Sequence, residues 1–120
     1  MGAAMAEPQL SPQLQQQVAQ LQQLNQNLQV AAQQRLQFDA MKSEAEQALA
    51  ALGELAADAP VYRSVGALLV KDDKSAAEAR LKEDVETLGL RVTRLSKQES
   101  ELKQQLTALQ QKIQAALKQG

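Results

Sequence analysis

The feature that most constrains this 120-residue chain is a run in its C-terminal half where apolar residues return at alternating steps of four and three. Leu81, Val85, Leu88, Val92, Leu95, Glu99, Leu102, Leu106, Leu109, Ile113 and Ala116 hold that phase through five repeats, with Glu99 the only charged member. A repeat of 3.5 residues kept this long marks a coiled-coil seam rather than a merely amphipathic helix. Such a seam needs a second helix to cover it.

The N-terminal half supplies one. Ser11-Pro12 offers an N-cap followed by proline at the first helical position, where the N–H it lacks would be unpaired anyway. Apolar residues then recur at Leu14, Val18, Leu21, Leu28 and Ala32, with Asn25 as a polar interruption. They resume one residue out of phase at Phe38, Met41, Ala45, Ala48, Leu52 and Leu55. The steps of three through Ala32, Arg35, Phe38 and Met41 predict a stammer, which overwinds a supercoil locally. Gly53 and then Asp58-Ala59-Pro60 are the stop signals. With one Phe, one Tyr and no Trp, the chain lacks the bulky side chains of a rounded core, so an elongated architecture is expected.

Ser75-Ala76-Ala77-Glu78 reads as a capping box at the start of the second helix, Ser75 accepting from the amide three residues on and Glu78 reaching back. Gly89, off the seam, is the weak point of that helix. Between the helices lie two β-prone runs, Val61-Tyr62-Arg63-Ser64-Val65 and Leu68-Leu69-Val70-Lys71. Gly66-Ala67 separates them, glycine first, as a two-residue type II′ turn requires. A hairpin there makes the helices leave side by side and run antiparallel, each of about 44 residues and about 66 Å. Equal distance from the turn sets Leu52 near Leu81 and Val18 near Ile113, which keeps both seams apolar. The expected fold is mostly α: a long antiparallel two-helix coiled coil with a β-hairpin at the turn. Its segments are a tail over 1–10, a first helix over 11–57, a hairpin segment over 58–74 and a second helix over 75–118, in one domain. The tail is expected to be disordered, and residues 1–4 read either as an expression scar or as an alternative start before Met5.

The composition excludes most chemistry. A net charge of −1 gives no clustered basic face for nucleic acid. With no histidine and no cysteine, the usual general bases and metal ligands are missing, and no phosphate-cradling Gly-x-x-x-x-Gly-Lys loop is present. Glu83, Asp84 and Glu86 beside Lys82 are the solvated exterior of a helix. No apolar run reaches the roughly 20 residues of a membrane span, and no secretory signal opens the chain. A soluble, cytoplasmic protein with no cofactor, no enzymatic activity, no nucleic-acid partner and no membrane partner is expected.

Two surfaces remain. The hairpin carries Val61, Tyr62, Val65, Leu68, Leu69 and Val70, and an isolated hairpin is marginal in water with both outer edges unpaired. Either it folds back onto the helix ends or it joins neighbouring chains. The second surface is the far end of the coil, where residues 9–34 carry no charge and 102–120 carry only Lys103, Lys112 and Lys118. Its glutamines are either good helix formers on an exposed face or an adaptable surface of low desolvation cost for an apolar partner. Leu10, Leu14, Val18, Leu24, Ile113 and Leu117 are the candidate contacts, since the last turns of a two-helix coil fray.

With heptads and hairpin placed, the chain resembles the β-type subunit of prefoldin over about Leu10 to Ile113. The specific part is Pro60-Val61-Tyr62-Arg63-Ser64-Val65-Gly66-Ala67-Leu68-Leu69-Val70-Lys71, which is similar to that family's hairpin segment. Glu86-Thr87-Leu88-Gly89-Leu90-Arg91-Val92 with Leu95-Ser96-Lys97-Gln98-Glu99 resembles its second-helix signature, and Val18-Ala19-Gln20-Leu21-Gln22-Gln23-Leu24 fits its first helix. Gly89 stands where a charged residue is expected, and Ala67 where asparagine is usual. The resemblance implies an ATP-independent chaperone of two α-type and four β-type subunits, joined through their hairpins into a platform. It further implies that non-native proteins are held at the distal coil ends and delivered to a group II chaperonin. Val61, Tyr62, Val65, Leu68, Leu69 and Val70 would then serve assembly with α-type prefoldin subunits and other copies of this chain. A structural coiled-coil adaptor is the alternative, although a plain adaptor needs only a short polar loop at the turn.

Overall fold

The computed structural model describes residues 11–119. The expected tail, and Leu10 with it, lies outside the described residues. The element order is α1 (Pro12–Gly53), β1 (Val61–Val65), β2 (Leu68–Asp72) and α2 (Lys74–Gln119). Two long antiparallel helices are joined by a two-stranded antiparallel hairpin, the fold the repeats predict. The chain divides into two compact units. One, the hairpin unit, is Gln33–Ser96; the other, the terminal unit, is Met1–Ala32 with Lys97–Gly120.

Ser11 caps α1 as its sequence suggests: the Leu14 amide donates to Ser11 Oγ at 3.1 Å, and the Gln15 amide begins the helical ladder on the Ser11 carbonyl at 2.9 Å. At its other end α1 stops at Gly53, short of the expected boundary at 57. The Glu54 and Leu55 amides turn back onto the carbonyls of Ala51 and Leu52 at 3.2 and 3.1 Å, the tightened bonds of a helix ending.

The start of α2 corrects the capping-box reading. Asp73, not Ser75, is the N-cap, and the Ala77 amide donates to the Asp73 carbonyl at 2.9 Å. The Ser75 hydroxyl donates to Asp73 Oδ2 at 3.0 Å instead of accepting from the helix. Asp72 Oδ1 accepts from the Asp73 amide at 2.8 Å, the task assigned to Glu78, which pairs with Lys74 at 3.6 Å. Ser75 loses the position because β2 ends at Asp72, so the helix has to begin immediately after it.

The seam of α2 is as read: Leu81, Val85, Leu88, Val92, Leu95, Leu102, Leu106, Leu109 and Ile113 are half-buried and Glu99 is buried, while Ala116 is exposed. The seam of α1 needs correction. Leu14, Gln17, Leu21, Leu24, Leu28, Ala31, Arg35, Phe38, Lys42, Ala45, Leu49 and Leu52 are covered in unbroken steps of three and four, and the expected Val18 and Ala32, with Asp39, are half-buried beside them. There is no stammer in this phase. Asn25, Met41, Ala48 and Leu55 are exposed, and Ala31 is among the buried residues. Gln17, Arg35 and Lys42 hold seam positions because long polar side chains cover apolar surface with their methylene stems and leave their heads toward water.

Within the hairpin unit the pairing is antiparallel. Lys74 Nζ donates to the Leu55 carbonyl at 2.7 Å, Leu52 and Leu81 line one groove, and Arg91 stacks over the Phe38 ring at 5.2 Å from its centroid. Stepping back along α1 therefore steps forward along α2, in the register expected for Leu52 and Leu81. Within the terminal unit, Leu14, Ala31 and Glu99 are buried. A lone helix cannot hide them, so α1 and α2 cover one another there. No helix among the described residues is long and apolar enough to cross a membrane.

Candidate protein-binding surfaces

Strand pairing fixes which hairpin side chains share a face. Val61 pairs with Asp72, Arg63 with Val70 and Val65 with Leu68, while Tyr62 pairs with Lys71 and Ser64 with Leu69. Side chains of directly opposed residues stand on the same side, so the first three pairs make one face and the last two the other. Gly66 has φ of 58°, and no other described residue has positive φ. One left-handed residue at the first turn position excludes type I′, which needs two, and fits the type II′ turn expected from Gly66-Ala67.

Both faces leave apolar groups in water. Leu69 is 74 % exposed, Leu68 68 %, Tyr62 59 %, Val65 47 % and Val70 41 %; only Val61 is half-buried. Val65, Leu68 and Val70 lie on one face, Tyr62 and Leu69 on the other, so one packing partner cannot cover them all. Folding back onto the helix ends is therefore not how this chain satisfies its hairpin.

The hairpin is nonetheless held at its base. Arg80 of α2 pairs with Asp72 Oδ2 at the end of β2, and Lys74 ties the same corner to the end of α1. The Asp73 amide, and after it the Arg80 guanidinium, hold the Asp72 carboxyl below its ordinary pKa. Beneath the strands lies an apolar groove of about 520 Å³, lined by Ala48, Leu52, Leu55, Val61, Ala77 and Leu81 among others. Sequence reasoning missed this base: it placed Leu55 in the seam, whereas Leu55 is 42 % exposed beside the groove. The available signal was the opposite charges of Asp72 and Arg80 flanking the start of α2.

In the terminal unit the six candidate contacts separate. Leu14 is buried, Val18, Leu24 and Ile113 are half-buried, Leu117 is 57 % exposed, and Leu10 lies outside the described residues. The reading passed over Val30, which is 53 % exposed. Around these residues the surface of α1 is amide-rich, with Gln23 donating to Asn27 Oδ1 at 3.0 Å one turn on. No cluster of metal-ligating side chains occurs among the described residues.

An anchored hairpin with apolar groups on both faces, carried on paired helices, defines a subunit made to bind other proteins. The comparisons with known proteins agree. Residues 15–120 match the family model described as prefoldin subunit. The chain is 46 % identical to prefoldin subunit beta of Methanosarcina acetivorans, covering 90 % of this chain and 92 % of that one. It is 41 % identical to prefoldin subunit beta of Pyrococcus furiosus, over 91 % of this chain and 93 % of that protein. The crystal structure of the prefoldin beta subunit from Thermococcus strain KS-1 superposes with a TM-score of 0.83 at 40 % identity, covering 92 % of this chain and 97 % of that one. The chain belongs to the prefoldin subunit family, among its β-type members. It is thus a chaperone subunit of a non-enzymatic family, as the missing catalytic residues led one to expect.

Proposed function

We propose that this chain is one of four β-type subunits in a cytoplasmic six-chain holdase. Two α-type prefoldin subunits complete the assembly, which binds unfolded proteins without ATP and passes them to a group II chaperonin. The observation that carries the reading is the exposure of Tyr62, Val65, Leu68, Leu69 and Val70 on both faces of an anchored hairpin. Large exposed apolar patches mark protein interaction sites, and unpaired strand edges favour strand-to-strand joining. The hairpin set, with Val61 at its base, is the joint with α-type subunits and other copies of this chain.

Client holding is assigned to the terminal unit, through Leu10, Leu14, Val18, Leu24, Ile113 and Leu117. Leu117 and Val30 are already exposed, while Leu14 becomes available only as the last turns fray. Truncation to begin near Leu21 and stop near Leu109 removes Leu10, Leu14, Val18, Ile113 and Leu117 and leaves the Gln33–Ser96 unit whole. The truncated chain still assembles, and its suppression of aggregation of a refolding client, followed by light scattering, falls sharply. Equal suppression by full-length and truncated assemblies would rule out the helix ends as the client site.

A further inference from the structure

Beyond Lys97, Glu99 and Glu101, the far part of the terminal unit carries, among its described residues, charge of one sign only. Residues 8–34 of the sequence carry no charge, and residues 102–120 carry Lys103, Lys112 and Lys118 without a single acidic side chain. All three lysines are exposed, and none takes part in an ion pair among the described residues. In the hairpin unit Arg35, Lys42, Lys74 and Arg80 are paired to carboxylates, and the other cations there share their surface with Glu83, Asp84 and Glu86. Lys118 in the last turn of α2 also complements the negative end of the helix dipole. Lys103 and Lys112 lie too far from that end for the dipole to explain them.

Their placement around α2 is informative. At about 100° per residue, Lys103 and Lys112 stand about 90° to either side of the seam through Leu102, Leu106, Leu109 and Ile113. Beyond Glu101, which shares a flank with Lys112, the fraying apolar strip thus has cations on both sides and no carboxylate side chain. Beside Lys103, on the side of α2 turned away from the seam, Ser100, Gln104, Thr107, Ala108 and Gln111 line a shallow groove of about 410 Å³ that offers hydroxyl and amide donors. An ammonium beside neutral donors is a setting for a carboxylate.

We infer that the terminal unit selects among unfolded clients by charge, preferring apolar segments that carry aspartate or glutamate over those that carry lysine or arginine. This rests on the proposed client-holding role of the helix ends and names the class of segment they hold. A phosphate backbone fits less well, because three lysines spaced nine and six residues apart neutralise few phosphates and the strip between them is apolar.

The test uses the assembly of full-length chains with an α-type partner. The probes are three fluorescent peptides sharing one leucine-rich core, flanked at both ends by Glu, Gln or Lys, with affinity read by anisotropy. The Glu-flanked peptide binds about tenfold tighter than the Lys-flanked one at low salt, the scale expected of a few exposed charge pairs. The ratio shrinks as salt rises. In Lys103→Gln/Lys112→Gln/Lys118→Gln it falls toward one while the Gln-flanked peptide binds as before. Equal binding of Glu- and Lys-flanked peptides by the unsubstituted assembly overturns the inference, as does a preference that survives in the triple variant. Displacement of the Glu-flanked peptide by a single-stranded oligonucleotide at lower concentration than by polyglutamate also overturns it, assigning the lysines to nucleic acid. The Gln-flanked peptide separates the two readings. If it binds the truncated assembly undiminished, the helix ends are not the client site; if it needs them but charge does not matter, only the charge selection is wrong.

Discussion

Replacing Gly89 by alanine adds a methyl group to a helix interior that has room for it. A Cβ built there meets only Lys42, at 3.8 Å from Cε and 3.9 Å from Nζ, which is ordinary van der Waals contact. The Thr93 hydroxyl bond to the Gly89 carbonyl, at 3.0 Å, uses a backbone atom and is untouched. With no steric cost, the substitution gains the helix preference of alanine over glycine, about 1 kcal/mol. At roughly 2.1 cal/mol/K per residue the unfolding entropy is about 250 cal/mol/K, so Tm rises by about 4 °C. Gly66→Ala is the internal control, because Gly66 has φ of 58° and nothing within 4 Å of a Cβ. There the space is free but the backbone is not, and a left-handed conformation costs an L-residue about 1–2 kcal/mol, lowering Tm by roughly 4–8 °C. Thermal unfolding followed by far-ultraviolet circular dichroism reads both signs. A lower Tm for Gly89→Ala would refute the reasoning, by showing that the Lys42 stem needs the gap.

The remaining expectations concern the hairpin. Val65→Glu with Leu69→Glu removes groups that are 47 % and 74 % exposed, so helix content is unchanged. Each joint loses about 2–3 kcal/mol of apolar burial and gains a buried charge, so the assembly dissociates in size-exclusion chromatography with light scattering. Persistence of the full assembly would show that the joint lies elsewhere. Asp72 has its folded-state pKa lowered, first by the Asp73 amide and then by Arg80, so its contribution is present above the unfolded value of about 3.9 and is lost as pH falls through the folded one. Carboxyl NMR titration reads a midpoint below that of an ordinary aspartate, and the stability gap between wild type and Asp72→Asn closes only in that acid range. An unshifted midpoint contradicts the clamp.

What could be read from the residues depended on how polar the seam was. The phase of α2 was plain because only Glu99 interrupts it with charge. In α1, Gln17 and Lys42 occupy seam positions, and a search for apolar residues slides past them to Val18 and Met41; taking Ala32 for Ala31 and Met41 for Lys42 on either side of Arg35 and Phe38 produces a stammer the helix does not have. The hairpin was legible because Gly66 and two β-prone runs specify a local turn. The start of α2 was misassigned for the converse reason: Ser75 and Glu78 satisfy a local motif, but the strand ending at Asp72 decides where the helix begins. Exposure of the hairpin side chains followed from the fold, whereas the separation of Leu14 from Leu117 at the helix ends did not. Both are leucines near a terminus, and only packing tells the buried one from the exposed one.

Native mass spectrometry of the full-length chain, alone and mixed with an α-type prefoldin subunit, tests the central claim most directly. The account predicts a six-chain species with four copies of this chain and two of the partner, absent from the Val65→Glu/Leu69→Glu variant. A mixture in which this chain never enters a complex with the partner, while both remain folded, would contradict it.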